Sequence, residues 1–358
     1  MLKGWGEPSM TFGKSQSRDA QSALGGVWLN GGTKIFKLSR ARHAFTLIAM
    51  ACQNKDRRLR FWCPAFFCNP SLGPLRQTSI EIVFYPVGPD LIPDWPACER
   101  LAAESPPDLF VLVHYFGSCN AIDQARSFCD RTGAKLIEDA AHLLVPAGGV
   151  GRVSDFVCYS PRKFFRIPDG GLLVVRDSSH AKRIQKLIGE MPERAQGAIQ
   201  SRIGRLKRRL KRLLRPEAGQ FQGVLMSGVA EQALERIVQR RWIARIAARR
   251  NRFEISVRAI LKDVDRVDEI NKAGPATSWM GLKCADEAAA RLALDRLREG
   301  GIRAVNWPPH LPPEVYSQES LKRALHLRST TIMVVRPMRS HRSAESLPEQ
   351  PRHAQAPG

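Results

Sequence analysis

Nowhere in this 358-residue sequence is there a run of the ~20 apolar residues that a membrane span needs; the longest candidate, "HAFTLIAMAC" at 43–52, falls well short. The opening "MLKGWGEPSMTFGKSQSRDAQ" lacks an apolar core and a small-residue cleavage site, so no secretory leader is expected. The eight cysteines, at 52, 63, 68, 98, 119, 129, 158 and 284, form no CxxC pair. That argues against a zinc site or a disulfide framework and suits a reducing cytosol. No internal repeat is visible. What remains is ordinary for a globular protein, with 43% hydrophobic and 25% charged residues, and the length allows a large core and two domains.

Acids are the scarce charge: 34 Asp and Glu stand against 56 Lys and Arg, for a net charge of +22. The excess is clustered. "SRIGRLKRRLKRLLR" (201–215) carries eight basic residues and no acid, and the last 31 residues, from Arg328, are basic and rich in Ser, Pro, His and Gln. In 201–215, Ile203, Leu206, Leu210, Leu213 and Leu214 share one helical face. The favoured reading is a helix packing its leucines on the body with a solvated basic face. Contact with an anionic membrane surface ranks second, and nucleic acid third, because no interleaved aromatic platform accompanies the charge.

From 34 to 177 short apolar runs alternate with helical patterns. Strands are predicted at 58–64, 80–87, 109–116, 134–141, 155–160 and 170–177, and helices at 40–53, 94–104 and 119–132, the last stopped by Gly133. Continuous apolar strands joined by helices imply a mostly parallel sheet covered on both faces. Ligands of such sheets bind beyond the carboxyl ends of the strands. From 178 to 264 the pattern is mostly helical. A smaller unit follows, with a strand in "ATSWMGLKCAD", a helix in "EAAARLALDRLREGG" and an extended, proline-braked "IRAVNWPPHLPPEVY".

"KLIEDAAHLLVPAGG" (135–149) sets an apolar run against Glu138 and Asp139, and a buried acid at a strand end needs a partner. Downstream, "SDFVCYSPRKFFRIPDGGLLVV" places Lys163 shortly after Ser160 and before Gly170 and Gly171. Asp, then Lys, then Gly-Gly on successive strands is the order that pyridoxal 5'-phosphate (PLP) requires. The cofactor's aldehyde needs a lysine amine, and its pyridine nitrogen needs a carboxylate that keeps the ring protonated. Lys163 serves as the first and Asp139 as the second; a pyridinium facing Asp139 would depress its pKa. Glu138 is expected to point the other way, since strand neighbours alternate faces.

These residues carry a resemblance. "LIEDAAH", "CYSPRKFFRIPDGG" and "VHYFG" (113–117) resemble the DegT/StrS-type sugar aminotransferases, and "WCPAFFCNPSLGPL" (62–75) is similar to that family's strand and aromatic loop. The likeness runs from about 38 to 177 and returns in "LREGGIRAVNWPPHLPPEV". It implies a fold-type I, PLP-transferase-like α/β fold: a mostly parallel sheet flanked by helices, with a smaller α/β C-terminal domain. It also implies that Lys163 forms the Schiff base and moves the proton, and that Asp139 holds the pyridinium. His142 lies beside the cofactor's phenolic oxygen, Phe66 stacks on the ring and Ser160 offers a hydroxyl to the phosphate. The family's Ser-Gly-Thr turn, whose amides cradle the phosphate, is missing. "LSRARHAF" (38–45) stands there, with Ser39 able to donate and Arg40 or Arg42 able to pair by charge.

The expected domains are an N-terminal arm at 1–33, a PLP-binding domain at 34–185, a helical segment at 186–264, a small domain at 265–327 and a basic, disordered tail at 328–358. The activity implied is PLP-dependent transamination of a nucleotide-linked keto-sugar, for polysaccharide or glycan precursors, with glutamate as donor. The cofactor is PLP, no metal is expected, and the enzyme is a cytoplasmic homodimer, with a peripheral contact at the inner membrane face through 201–215. One alternative, a PLP-dependent sugar dehydratase, is disfavoured because such relatives replace the lysine with histidine. The other is a non-catalytic binding or regulatory relative.

Overall fold

The structure is a computed structural model that describes residues 25–29, 32, 34–53, 57–119, 121–165, 167–191, 223–239, 248, 253–270 and 279–335. The basic segment 201–215 lies outside the described residues, and so do its three readings.

Seven strands form the larger sheet: β1 (Lys34–Leu38), β2 (Arg60–Pro64), β3 (Glu81–Tyr85), β4 (Leu109–Val113), β5 (Lys135–Asp139), β6 (Phe156–Tyr159) and β7 (Gly171–Val175). Their order is β1-β7-β6-β5-β4-β2-β3. β2 to β6 pair in parallel, while β7 runs antiparallel to both β6 and β1. All of β6 and β7 and most of β4 and β5 are buried, as expected of strands covered on both faces. Two antiparallel steps leave β1 parallel to β6. The carboxyl ends of β1, β2, β4, β5 and β6 and the start of β7 therefore meet along one edge.

The covering helices are α1 (Arg42–Cys52), α2 (Trp95–Glu104), α3 (Ile122–Thr132) and α4 (Ser178–Glu190). Asp94 caps α2 by accepting from the Ala97 amide at 3.2 Å, and Asp177 caps α4 by accepting from His180 at 2.9 Å. Gly133, with φ 75°, ends α3 as the sequence predicts. α4 buries Ala181, Ile184 and Ile188, and it packs with α1 over β7.

α5 (Gly228–Gln239) follows, and a second sheet of order β10-β11-β9-β8 comes from β8 (Val267–Glu269), β9 (Trp279–Cys284), β10 (Arg303–Asn306) and β11 (Thr331–Val335). It packs with α6 (Glu287–Glu299), which turns Ala290, Ala293 and Leu297 inward, and is joined to β11 by α7 (Arg323–Thr330).

The larger departures from the sequence reading lie at the ends. Residues 328–335 are not tail: β11 is an inner strand paired with β9 and β10, and Ile332 and Val334 are fully buried. Averaging composition over the basic end masked the β-prone "TIMVV". The small domain thus runs through Val335, and the rest of the expected tail is outside the described residues. β1 joins the sheet although "KIFKL" was not among the predicted strands. β4 stops at Val113 rather than 116, because Phe116 (φ 52°) and Gly117 (φ 86°) turn the chain.

Gly171 fixes how β7 begins. A Cβ there would lie 2.3 Å from the Ala41 amide nitrogen and 2.5 Å from the Arg40 carbonyl carbon, both rigid backbone. Gly171→Ala is therefore expected to destabilise by about 3 kcal/mol, the upper end for overpacking. Thermal unfolding would show it; an unchanged melting temperature would mean that the turn yields.

Candidate active site

The shared sheet edge collects the residues singled out in the sequence. Asp139 ends β5, Lys163 closes a short 3-10 turn (Pro161–Lys163) after β6, Gly170 and Gly171 open β7, and Ser39, Arg40 and Arg42 follow β1. The Lys163 amide donates to the Ser160 carbonyl at 2.9 Å, which closes the turn.

Asp139 and Lys163 are half-buried and interact electrostatically with each other. The Asp139 carboxylate accepts from the Ala141 amide at 3.0 Å. Burial pushes its pKa up, while the Lys163 ammonium pulls it down. Burial in turn lowers the Lys163 pKa, and Asp139 opposes that. Among the described residues neither side chain sits in an ion pair, so each is chiefly balanced by the other. The depressed carboxyl expected of Asp139 is thus not a property of the chain alone, because desolvation outweighs Lys163; a further cation would reverse the sign. The Lys163 ammonium lies 4.9 Å from the centre of the Trp279 ring, delivered by the start of β9.

His142 is buried, which holds its pKa well below the usual histidine value, and Lys163 adds to this. The Phe116 amide donates to its Nδ1 at 3.1 Å, so the neutral ring carries its proton on Nε2. Its ring is enclosed by Phe116 (5.5 Å), Trp279 (4.9 Å) and Trp307 (5.5 Å). The left-handed Phe116 is wedged against β9, where a Cβ on Gly281 would lie 2.4 Å from its ring. Strain held by surrounding packing in this way is common at working sites.

Phe66 is fully buried, with ring contacts to Tyr115 (5.5 Å) and Trp307 (5.1 Å). The structure seats it as a core ring of the same aromatic cluster, one contact removed from His142. Ser160 is buried at the start of the lysine turn. Ser39 departs from expectation: its hydroxyl donates to the Gly223 carbonyl, and its oxygen lies 3.2 Å from His43 Nδ1. Its one proton is committed to the body of the protein, which leaves Arg40 and Arg42 as the donors of this turn.

Glu138 points away from Asp139, as expected. It is fully buried, 2.7 Å from His114 Nε2, and accepts from the Gly151 amide at 2.9 Å. Burial would raise its pKa, but the His114 contact and the other donors hold it below the usual glutamate value. Sequence reasoning missed Trp279, Trp307, Phe116 and the His114 partner, because each reaches the site across a large sequence separation. Arg162, beside Lys163, was in view but not separated from the surface. Among the described residues no group of acids, histidines and cysteines could hold a metal ion, and no helix is long and apolar enough to cross a membrane.

Residues 97–208, which include Asp139 and Lys163, match the DegT/DnrJ/EryC1/StrS aminotransferase family. Solved structures with similar folds include the Helicobacter pylori aminotransferase PseC, involved in pseudoaminic acid biosynthesis (16% identity, 86% of this chain and 82% of that one, TM-score 0.61). DesI, solved with its TDP-sugar product, is 20% identical over 90% of this chain and 78% of its own, with a TM-score of 0.60. NtdA of Bacillus subtilis, solved with bound PMP, is 15% identical over 85% and 68%, with a TM-score of 0.58. At these identities the likeness is one of fold.

The fold is thus that of solved aminotransferases, and the segment holding Asp139 and Lys163 is the one that matches an aminotransferase family. The matched segment is similar to the DegT/DnrJ/EryC1/StrS aminotransferases, a family whose cofactor is PLP. The residues present suit that cofactor: a desolvated lysine for its aldehyde, a half-buried acid that among the described residues is in no ion pair for its ring nitrogen, and arginines at the turn after β1 for its phosphate.

Proposed function

We propose that this protein transfers an amino group from glutamate to a nucleotide-linked keto-sugar, and that Lys163 is both its nucleophile and its base. The observation that supports this reading is the Asp139–Lys163 pair, two half-buried and oppositely charged groups at neighbouring strand ends, each the other's main electrostatic partner.

PLP, when bound, supplies an aldehyde for the lysine and an electron sink for the carbanion formed at the donor's α carbon. Burial keeps more of the Lys163 amine unprotonated at a given pH, which makes it a better nucleophile and proton acceptor. With the cofactor in place, its Nζ would carry the proton from the donor's α carbon to the cofactor's former aldehyde carbon, and would run that transfer in reverse when the keto-sugar is the acceptor. Asp139 holds a proton at the ring nitrogen by charge and hydrogen bonding. His142, its tautomer fixed by the Phe116 amide, presents Nε2–H as a donor to the phenolic oxygen. Arg40, Arg42 and Ser160 hold the phosphate. Phe66 supports the aromatic wall, while Trp279 and Trp307 keep water from the amine.

A sugar substrate is supported by the family match, and a nucleotide-linked one by the TDP-sugar seen with the similarly folded DesI. A role in polysaccharide precursors, a homodimer, a cytoplasmic location and a peripheral membrane contact through 201–215 belong to the same proposal.

The test uses purified protein loaded with PLP. Glutamate alone should release one equivalent of 2-oxoglutarate per site, and nucleotide-linked keto-sugars added afterwards should yield an amino sugar detectable by mass. Release of 2-oxoglutarate with no amination of any nucleotide-linked keto-sugar would overturn the substrate class. Failure of every amino donor would overturn transamination.

A further inference from the structure

Arg162 precedes the lysine by one residue and is absorbed by nothing described so far. Its backbone and that of Arg40 flank the same pair of glycines. The Arg162 amide points at the Gly170 carbonyl across 3.5 Å, the Gly170 amide donates to the Ser39 carbonyl at 2.9 Å, and Gly171 lies against Arg40 and Ala41. Ideal side-chain carbons on the two glycines would fall 3.6 Å from the Arg162 Cβ and 2.5 Å from the Arg40 carbonyl carbon. At Gly171 the approach of the Arg40 turn leaves no room for a side chain.

Three guanidiniums are thereby gathered at one corner. Arg40 Nη1 spends its bonds on the carbonyls of Ser39 and Pro168, both at 3.2 Å. Arg42 Nε is buried with no hydrogen-bond partner. Among the described residues none of the three has an acid within ion-pair distance. The acid felt most here, Asp169, is 2% exposed and accepts from the Ser227 amide at 3.0 Å. The arginines repel one another: burial first, then Arg40 and Arg42, push the Arg162 pKa down to about 10, and Arg42 is lowered by burial and then by Arg40. Among the described residues, three positive charges and one negative leave the corner positive, the sign that suits a phosphate monoester dianion. Arg162 is exposed and Arg40 and Arg42 are half-buried, so the corner is open to an anion from solvent.

We propose that Arg162 completes, with Arg40 and Arg42, a three-guanidinium clamp for the cofactor's phosphate, so that side-chain charge replaces the amide cradle missing from this chain. The inference rests on the reading of Lys163 as the PLP lysine. The phosphate is assigned to the cofactor because Arg162 and Lys163 share one 3-10 turn, so an anion held by the first belongs to a molecule within reach of the second.

The test compares wild type, Arg162→Lys and Arg162→Gln in cofactor-free protein. Spectral titration with PLP should show affinity falling in that order, with Arg162→Gln weaker by about 10- to 100-fold, the range of a lost charge-assisted hydrogen bond. Titration with pyridoxal, which has no phosphate, should be the same for all three. Inorganic phosphate should raise the melting temperature of the wild type above that in chloride at equal ionic strength, and the rise should shrink in Arg162→Gln. Equal PLP affinity in wild type and Arg162→Gln would overturn the clamp and leave the aminotransferase reading intact, as would equal weakening for PLP and pyridoxal. Protein that ignores PLP, yet is stabilised by phosphate through Arg162, would keep the anion site and overturn both the cofactor assignment and the proposed function.

Discussion

Lys163→Ala is expected to abolish the colour that PLP gives the wild-type protein and to lower transamination by about a thousandfold, within the range for a lost acid–base group. The two losses have one cause. The amine is both the group that captures the aldehyde and the group that carries the proton, and among the described residues no second lysine shares its position beside Asp139 and Trp279. Lys163→Arg keeps a positive charge against Asp139 but cannot form the link, so it should fold as the wild type does and stay colourless. The pH dependence follows from the lowered lysine pKa: cofactor capture should slow as pH falls, with a midpoint below that of an ordinary lysine. A midpoint at or above the ordinary value would mean that the amine is solvated, and an alanine variant that still colours would move the attachment elsewhere.

Glu138→Ala is expected to cost about 3–5 kcal/mol of stability, because it leaves a fully buried histidine without its partner and the Gly151 amide without its acceptor. Urea unfolding would measure it. Replacing both members, Glu138→Leu with His114→Leu, should recover part of the loss, since a buried polar pair is often exchanged for apolar packing at little cost. The carboxyl is held below its ordinary value in the folded state, so the unfolded chain binds its proton more readily. Its contribution is therefore complete above the ordinary glutamate value and is lost as pH falls through the folded one. Acid unfolding of Glu138→Ala should accordingly be shallower than that of the wild type over this interval; an equally steep loss would place the acid sensitivity in other carboxylates.

Much of the site was legible because its chemistry is written in local order. Asp139 and Lys163 end or follow strands whose apolar runs announce them, and Gly170 and Gly171 mark the start of the next. Glu138 could be turned away from Asp139 on paper because strand neighbours alternate faces. The core strands of the larger sheet were legible for the same reason, being apolar without interruption. β11 was not, because a strand in the middle of a sheet announces itself by five residues and was averaged into a basic end.

Sequence alone determined the core strands of the larger sheet and the candidate acid and amine, since both depend on short-range pattern: which residues are apolar, which alternate, and which acid and amine stand at successive strand ends. Tertiary structure decided the surroundings that set their chemistry. It turned the Ser39 hydroxyl to Gly223, brought Trp279 of β9 over the lysine, fixed the His142 tautomer through Phe116 and gathered Arg162 with Arg40 and Arg42. Each of these joins residues far apart in the chain. Desolvation and hydrogen-bond geometry depend on what packs in three dimensions, so no spacing along the chain encodes them.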